Sequence, residues 1–231
     1  MVSPPQILLP LESGRLDRFE DYVPGLNQNV VSALQELLHS PGACLFIRGA
    51  EGSGKSHLLN ATRQLAQEQG QRAFYMALGH LSEISAAGLD GLEEMDLVCM
   101  DDIDRVAGNP VWENALFHFF NRLRARNGRL VISSLHPLSS LQFQLPDLAS
   151  RLAWGLRLQL EPLDDDGKLE VLRRKASALG IALPSEVAHY LLSRGSRNMV
   201  SLLASLEAIR VAALTGKRRI TLPLAREVLT S

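Results

Sequence analysis

GAEGSGKS, Gly49 to Ser56, follows the apolar run ACLFIRG at 43–49 and leads into the amphipathic stretch KSHLLNATRQLAQEQ at 55–69. The octet fits the pattern G-x-x-x-x-G-K-[ST] in the place the physics requires, between a strand and a helix. Glycines let the backbone wrap closely, so that N–H groups at a helix N-terminus face phosphate oxygens. The spacing makes Gly49, Gly52, Ser53, Gly54, Lys55 and Ser56 the cradle, with His57 next along. Lys55 is placed to reach the β- and γ-phosphates, and Ser56 to ligate Mg²⁺. A glycine-rich turn with an incidental lysine would share the octet, but not its strand and helix.

Working outward, short apolar runs recur at 43–49, 72–78, 97–101, 129–134 and 156–160, with longer amphipathic stretches between them. That rhythm predicts an α/β fold in which helices layer a parallel five-stranded sheet. The first four runs are nearly continuous in apolar character, as expected of strands covered on both faces. LRLQL at 156–160 alternates like an edge strand. Gly70 is placed as the stop of the first crossover helix. After Pro162 no strand-like run appears, and helices are expected at 167–179, 185–193, 198–214 and 223–230. The Asp residues of EPLDDDGK precede the first of these, where carboxylates cap free N–H groups. The expected division is an N-terminal arm over 1–17, an α/β core over 18–161 and a small all-α domain over 162–231.

LVCMDDID, Leu97 to Asp104, is an apolar strand ending in carboxylates. Beside a phosphate loop, such a strand end holds Mg²⁺ with its first acid, here Asp101. Asp102 is then the group that polarises an attacking water. Alone, the stretch would read as a strand running into a solvated acidic turn.

Composition narrows the class. The 231 residues are 46% hydrophobic with a net charge of -1, so no global basic field points to nucleic acid or an anionic membrane. No run approaches a membrane span, and no signal peptide is read. Cys44 and Cys99 both sit in strand-like runs as small core hydrophobes, which fits a reduced cytoplasmic compartment. The six histidines lack ligand spacing, so a metal site built by protein alone is not expected.

Taken together, KSHLLNA after the phosphate loop, the DDID strand end and PDLASRLAWGL at 146–156 resemble the DnaA/Hda family of AAA+ ATPases. The likeness runs from Gln6 to about Leu229. It implies a P-loop AAA+ core followed by a helical lid. RFEDYVPG at 18–25 matches the family segment that lines the adenine pocket, which makes Val23 and Pro24 contacts. Arg151 falls at the arginine finger, the residue offered across an interface to another protomer's γ-phosphate. Two departures matter. Leu135 stands where the family's first sensor has an acid, leaving Ser133 and Ser134 as the nearest polar groups. Val200 stands at the second-sensor arginine, with Arg197 about one turn earlier as a substitute. Both imply weak hydrolysis of the chain's own ATP and leave ADP or ATP binding intact.

QILLPL, Gln6 to Leu11, is similar to the short motif by which replication proteins dock on the bacterial sliding clamp. Gln6 would supply an amide, Leu9 and Leu11 would fill an apolar pocket, and Pro10 lowers the ordering cost. Read without the family, the segment would be a strand on the protein's own sheet edge. The resemblance implies a negative regulator of replication initiation that sits on the DNA-loaded clamp, the β subunit of DNA polymerase III, and promotes hydrolysis of DnaA-bound ATP. DNA is then reached through the clamp, and the finger's partner is DnaA or a second copy of the chain. KRR at 217–219 reads as a solvated face. The alternatives are a self-sufficient ATPase of helicase-loader type, suggested by the paired acids, and a small-molecule P-loop kinase, for which no acceptor signature is evident.

Overall fold

A computed structural model describes residues 17–80, 85–194 and 198–230. Five parallel strands form one sheet: β1 (Cys44–Gly49), β2 (Ala73–Ala77), β3 (Leu97–Asp101), β4 (Arg129–Ser134) and β5 (Leu156–Leu160). Their spatial order is β2-β3-β4-β1-β5. β5 is an edge strand, as its alternation indicates, and β2 is the other edge. β3, inside the sheet, is buried along its whole length, whereas only Met76 of β2 is fully buried.

Alternation along the strands divides the core in two. Phe46, Val98, Met100, Leu130 and Ile132 pack with α3 (Pro110–Ala125) and α4 (Pro146–Leu152) on one face. Leu45, Ile47, Leu97, Cys99 and Val131 pack with α1 (Gln28–Leu37) and α2 (Lys55–Glu68) on the other. Asp101 and Ser133 continue the second set, two residues beyond Cys99 and Val131. The polar ends of β3 and β4 therefore emerge on the α2 side, next to the phosphate loop.

Helix boundaries follow local chemistry. Gly70 adopts φ 79° and the Gln71 N–H reaches back to Ala66 O at 2.9 Å, which closes α2 as its sequence position requires. Asn109 caps α3 by accepting from the Val111 and Trp112 N–H groups, with Pro110 at the first helical position. One turn on, the wholly buried Glu113 accepts from Gly108 N–H at 2.6 Å and Leu145 N–H at 2.7 Å. That carboxylate seats the start of the short α4 on α3.

Four helices follow the sheet: α5 (Asp165–Ala178), α6 (Ser185–Arg194), α7 (Met199–Thr215) and α8 (Leu222–Thr230). Asp164 caps α5 by accepting from Gly167 N–H at 2.8 Å. These helices share their own apolar core, including Leu172, Leu191, Leu206, Ile209 and Leu224. The start of α1 is tied to the end of β5 by the buried Asn27, whose amide donates to Glu161 O at 2.9 Å and accepts from Glu161 N–H at 2.7 Å. Arg174 of α5 donates to Glu20 O at 2.9 Å and joins the helical part to the segment before α1. Among the described residues, no helix is long and apolar enough to cross a membrane.

Candidate functional site

A cleft of about 360 Å³ opens between the phosphate loop and the helical part. Its size lies in the range of small-molecule sites. Gly52 to His57 form its floor, Asp21 to Val23 one wall, and Leu163, Val171, Met199, Val200 and Leu203 the roof. Asp102 closes the end nearest the sheet.

The glycines are there for space. A Cβ on Gly54, where φ is 92°, would lie 2.7 Å from the Tyr22 ring. A Cβ on Gly52, at φ 75°, would lie 2.8 Å from Asn198 Oδ1. At Gly49 a Cβ would meet the Ser53 hydroxyl first and then Leu160 Cβ at 3.0 Å. The first turn of α2 receives no side-chain cap, so its N–H groups remain to be matched by an anion. Lys55 is buried and donates to Gly49 O at 2.8 Å and Ala50 O at 3.1 Å. The buried Ser53 hydroxyl has no hydrogen-bond partner among the described residues.

Behind the loop, Asp101 is buried and both carboxylate oxygens are engaged. Tyr75 donates to Oδ2 at 2.8 Å, and the Ser133 hydroxyl donates to Oδ1. Burial and the Asp101 charge push the Tyr75 phenol well above its ordinary pKa, so it remains a donor. Each carboxylate oxygen carries two lone pairs, so one hydrogen bond apiece leaves capacity for a metal-bound water. Among the described residues no group of three or more His, Cys, Asp or Glu could hold a metal. A Mg²⁺ that arrives with phosphates and keeps most of its waters asks only one or two oxygen donors of the protein, and the donor chemistry of Asp101 and Ser56 is of that kind.

Asp102 leaves the strand in a left-handed conformation, φ 59° and ψ 51°, its N–H donating to Ser133 Oγ at 2.9 Å. Short polar residues tolerate this region, and here it turns the carboxylate out of the sheet toward the cleft. Burial, then the charges of Asp101 and Asp104, raise its pKa above the ordinary carboxylate value. Ionising Asp102 is thus less favourable in the folded chain than in the unfolded one. Its contribution to stability is fully present below the ordinary carboxylate pKa and is lost as pH rises through the raised folded value. Asp102→Asn removes that loss and keeps a side chain suited to the backbone. The variant is expected to melt about 2 °C higher than wild type at pH 8 and at the same temperature near pH 3.5, by differential scanning fluorimetry.

His57 lies 2.8 Å from Arg18 O through Nε2 and 3.3 Å from Asp17 through Nδ1. Burial lowers its pKa, but the Asp17 hydrogen bond and charge outweigh that and raise it overall. The imidazole therefore holds the entering segment against α2. Tyr22 was not legible as a site residue. It donates to Ser53 O at 3.4 Å and stacks within 5.6 Å of His57, and burial pushes its phenol up to about 12. The available signal was its place in RFEDYVPG beside Val23. Val23 lines the cleft, whereas Pro24 is not among the lining residues.

Ser134 donates to Asp104 Oδ1 at 3.1 Å, and Leu135 is exposed with its N–H on the same carboxylate oxygen. Val200 lines the cleft. Arg197, Gln6, Leu9 and Leu11 lie outside the described residues. Arg151, on the last turn of α4, is not part of the cleft; its guanidinium lies over the exposed Trp154 ring, 4.6 Å from the centroid.

Comparison with known proteins agrees with this geometry. The family model of the bacterial DnaA ATPase domain matches residues 15–159, and that of the Hda lid domain matches residues 165–229. The chain is similar to domain III of the Thermotoga maritima replication initiation protein DnaA, at 28% identity over 92% of this chain and 95% of that one, with a TM-score of 0.80. AMPPCP-bound DnaA from Aquifex aeolicus shares the fold at 24% identity, covering 88% of this chain and 68% of that one, with a TM-score of 0.71. The Thermotoga maritima RuvB Holliday junction branch migration motor shares it at 18% identity over the same fractions, with a TM-score of 0.66. With one model spanning most of its α/β part and the other its helical part, the chain belongs to the DnaA/Hda family and has the AAA+ fold of DnaA domain III.

Proposed function

We propose that the chain binds an adenine nucleotide, ADP or ATP, in the cleft and uses Arg151 to promote hydrolysis of ATP held by DnaA. In this reading residues 1–17 are a docking arm, 18–161 the nucleotide-binding core and 162–231 the lid. The observation that supports it most is the position of Arg151. It is half-buried beside the exposed Trp154 ring and away from the chain's own cleft, which would leave its charge available to a neighbour's nucleotide.

Within the cleft, Gly49, Gly52, Ser53 and Gly54 would admit the phosphates, and Lys55 would turn from the loop carbonyls to meet them. Ser53 would gain the partner its hydroxyl lacks. His57 and Tyr22 would hold the wall where Val23, with Pro24 beside it, meets the base. Ser56 and Asp101 would hold Mg²⁺, which neutralises phosphate charge when bound. At the interface, Arg151 would present forked, permanently charged donors to the partner's transferring phosphoryl group. Gln6, Leu9 and Leu11 would dock the chain on the DNA-loaded sliding clamp and so concentrate it near DnaA.

Asp102 lines the chain's own cleft, which favours a second reading as a self-sufficient ATPase. One assay separates the two. Single-turnover hydrolysis of ATP prebound to DnaA is followed with wild type and Gln6→Ala, with and without clamp loaded on DNA. The regulator predicts strong stimulation by wild type that depends on the clamp and is lost in Gln6→Ala. Steady turnover by the chain alone, with no effect on DnaA, would select the self-sufficient ATPase.

A further inference from the structure

Arg151 does not lie on Trp154 alone. Arg124, near the end of α3, places its guanidinium 4.4 Å from the centroid of the same ring. The two guanidinium carbons are thus within about 9 Å of each other, comparable to the Debye length at physiological salt, so their repulsion is only partly screened. Neither arginine is paired with a carboxylate among the described residues.

The neighbours of Arg124 behave differently. Arg122 binds Glu93 at 3.0 Å and Asp90 at 3.4 Å, and Arg126 binds Glu94 at 2.6 Å. Arg124, between them, is turned to the opposite side and onto the ring. Gly155 presses so closely on β1 that a Cβ there would lie 2.5 Å from Cys44 O, which pins the turn while the indole stays 57% exposed. Two guanidinium groups without a carboxylate partner among the described residues, on one exposed aromatic ring outside the chain's own cleft, suit a polyanion with closely spaced charges.

We propose that Arg124, Arg151 and Trp154 form one anion site, and that Arg124 is a second cation delivered with Arg151 to the terminal phosphates of the partner's nucleotide. The delivery rests on the reading of Arg151 given above; the anion site does not.

Tryptophan emission provides the test, because Trp112 is buried and Trp154 exposed. The full chain, saturated with ADP to fill its own cleft, is titrated at low salt with inorganic tripolyphosphate. Emission is expected to respond, with apparent affinity falling about fivefold in Arg124→Met and in Arg151→Met and about twofold in Arg124→Lys. Met keeps the apolar stem on the ring without the charge, so equal behaviour of the Met and Lys variants would mean packing and overturn the proposal. Tripolyphosphate binding by Arg124→Met at wild-type affinity would overturn it as well. So would a response only to a single-stranded oligonucleotide, in favour of nucleic acid. In parallel, Arg124→Met is expected to slow hydrolysis of DnaA-bound ATP roughly tenfold at saturation, with the half-maximal concentration unchanged. Normal stimulation by Arg151→Ala, with tripolyphosphate affinity still lost in Arg124→Met, would retain the anion site and overturn its use on a partner.

Discussion

Arg151→Ala is expected to slow hydrolysis of DnaA-bound ATP by about 10³-fold or more, the scale on which a finger arginine acts in phosphoryl transfer. The same variant should bind ADP as tightly as wild type, because Arg151 takes no part in the cleft wall. Its own fold should lose little, since an exposed cation–π contact contributes about 0.5–1 kcal/mol. Arg151→Lys should recover only part of the rate, because an ammonium lacks the forked donors that meet two phosphate oxygens at once. Single-turnover hydrolysis and ADP titration, run on the same preparations, check both halves. A variant that loses its own ADP and leaves the partner's rate intact would place the arginine's work in its own cleft.

Glu113→Ala is expected to have the largest effect on stability. The substitution strips the acceptor, itself wholly buried, from two part-buried backbone N–H groups, and a donor left unsatisfied away from water costs about 1–3 kcal/mol. Allowing for a water that enters the vacated space, the net loss is about 3 kcal/mol, or roughly 6–12 °C in melting temperature for a chain of this size. Chemical denaturation of Glu113→Ala and Glu113→Gln checks this. Gln keeps one acceptor and should fall between Ala and wild type. Because Leu145 precedes α4, the loosened helix is the one that carries Arg151.

Much of this architecture was legible in the sequence for reasons of period and chemistry. The apolar runs marked all five strands to within a residue or two, because strands covered on both faces cannot hide their composition. The alternation of LRLQL placed β5 at an edge, where one face meets water. Gly70 and Asp164 marked helix ends because the backbone demands a positive φ or a free acceptor there. The phosphate loop was readable because the spacing of its glycines and lysine follows from what a backbone needs to wrap a phosphate between strand and helix.

Other parts depended on tertiary packing that no local pattern encodes. RAFYMAL showed a strand but not that its Tyr75 hydroxyl serves Asp101, a contact set by the register of β2 on β3. The left-handed turn of Asp102 is held by Ser133, thirty-one residues away. Tyr22, next to Val23, carries no local signature of its place, because its burial against Gly54 arises only when the entering segment folds over the loop. Leu163, Val171, Met199 and Leu203 line the cleft as ordinary apolar residues, without a signature to set them apart from the lid's own core.

The strand order β2-β3-β4-β1-β5 also has a consequence for the birth of the chain. β1, the strand that ends in the phosphate loop, lies between the last two strands to be made. When it leaves the ribosome neither neighbour exists, and β4 begins only at Arg129, about eighty residues later. At roughly 5–20 residues per second, synthesis from β1 to β4 takes on the order of 4–17 seconds. Through that interval Leu45, Phe46 and Ile47, all buried in the finished fold, have no sheet to enter. Among the five strands, the one that ends in the phosphate loop therefore waits longest for a sheet neighbour, and it is the one on which a holding chaperone would find an apolar run.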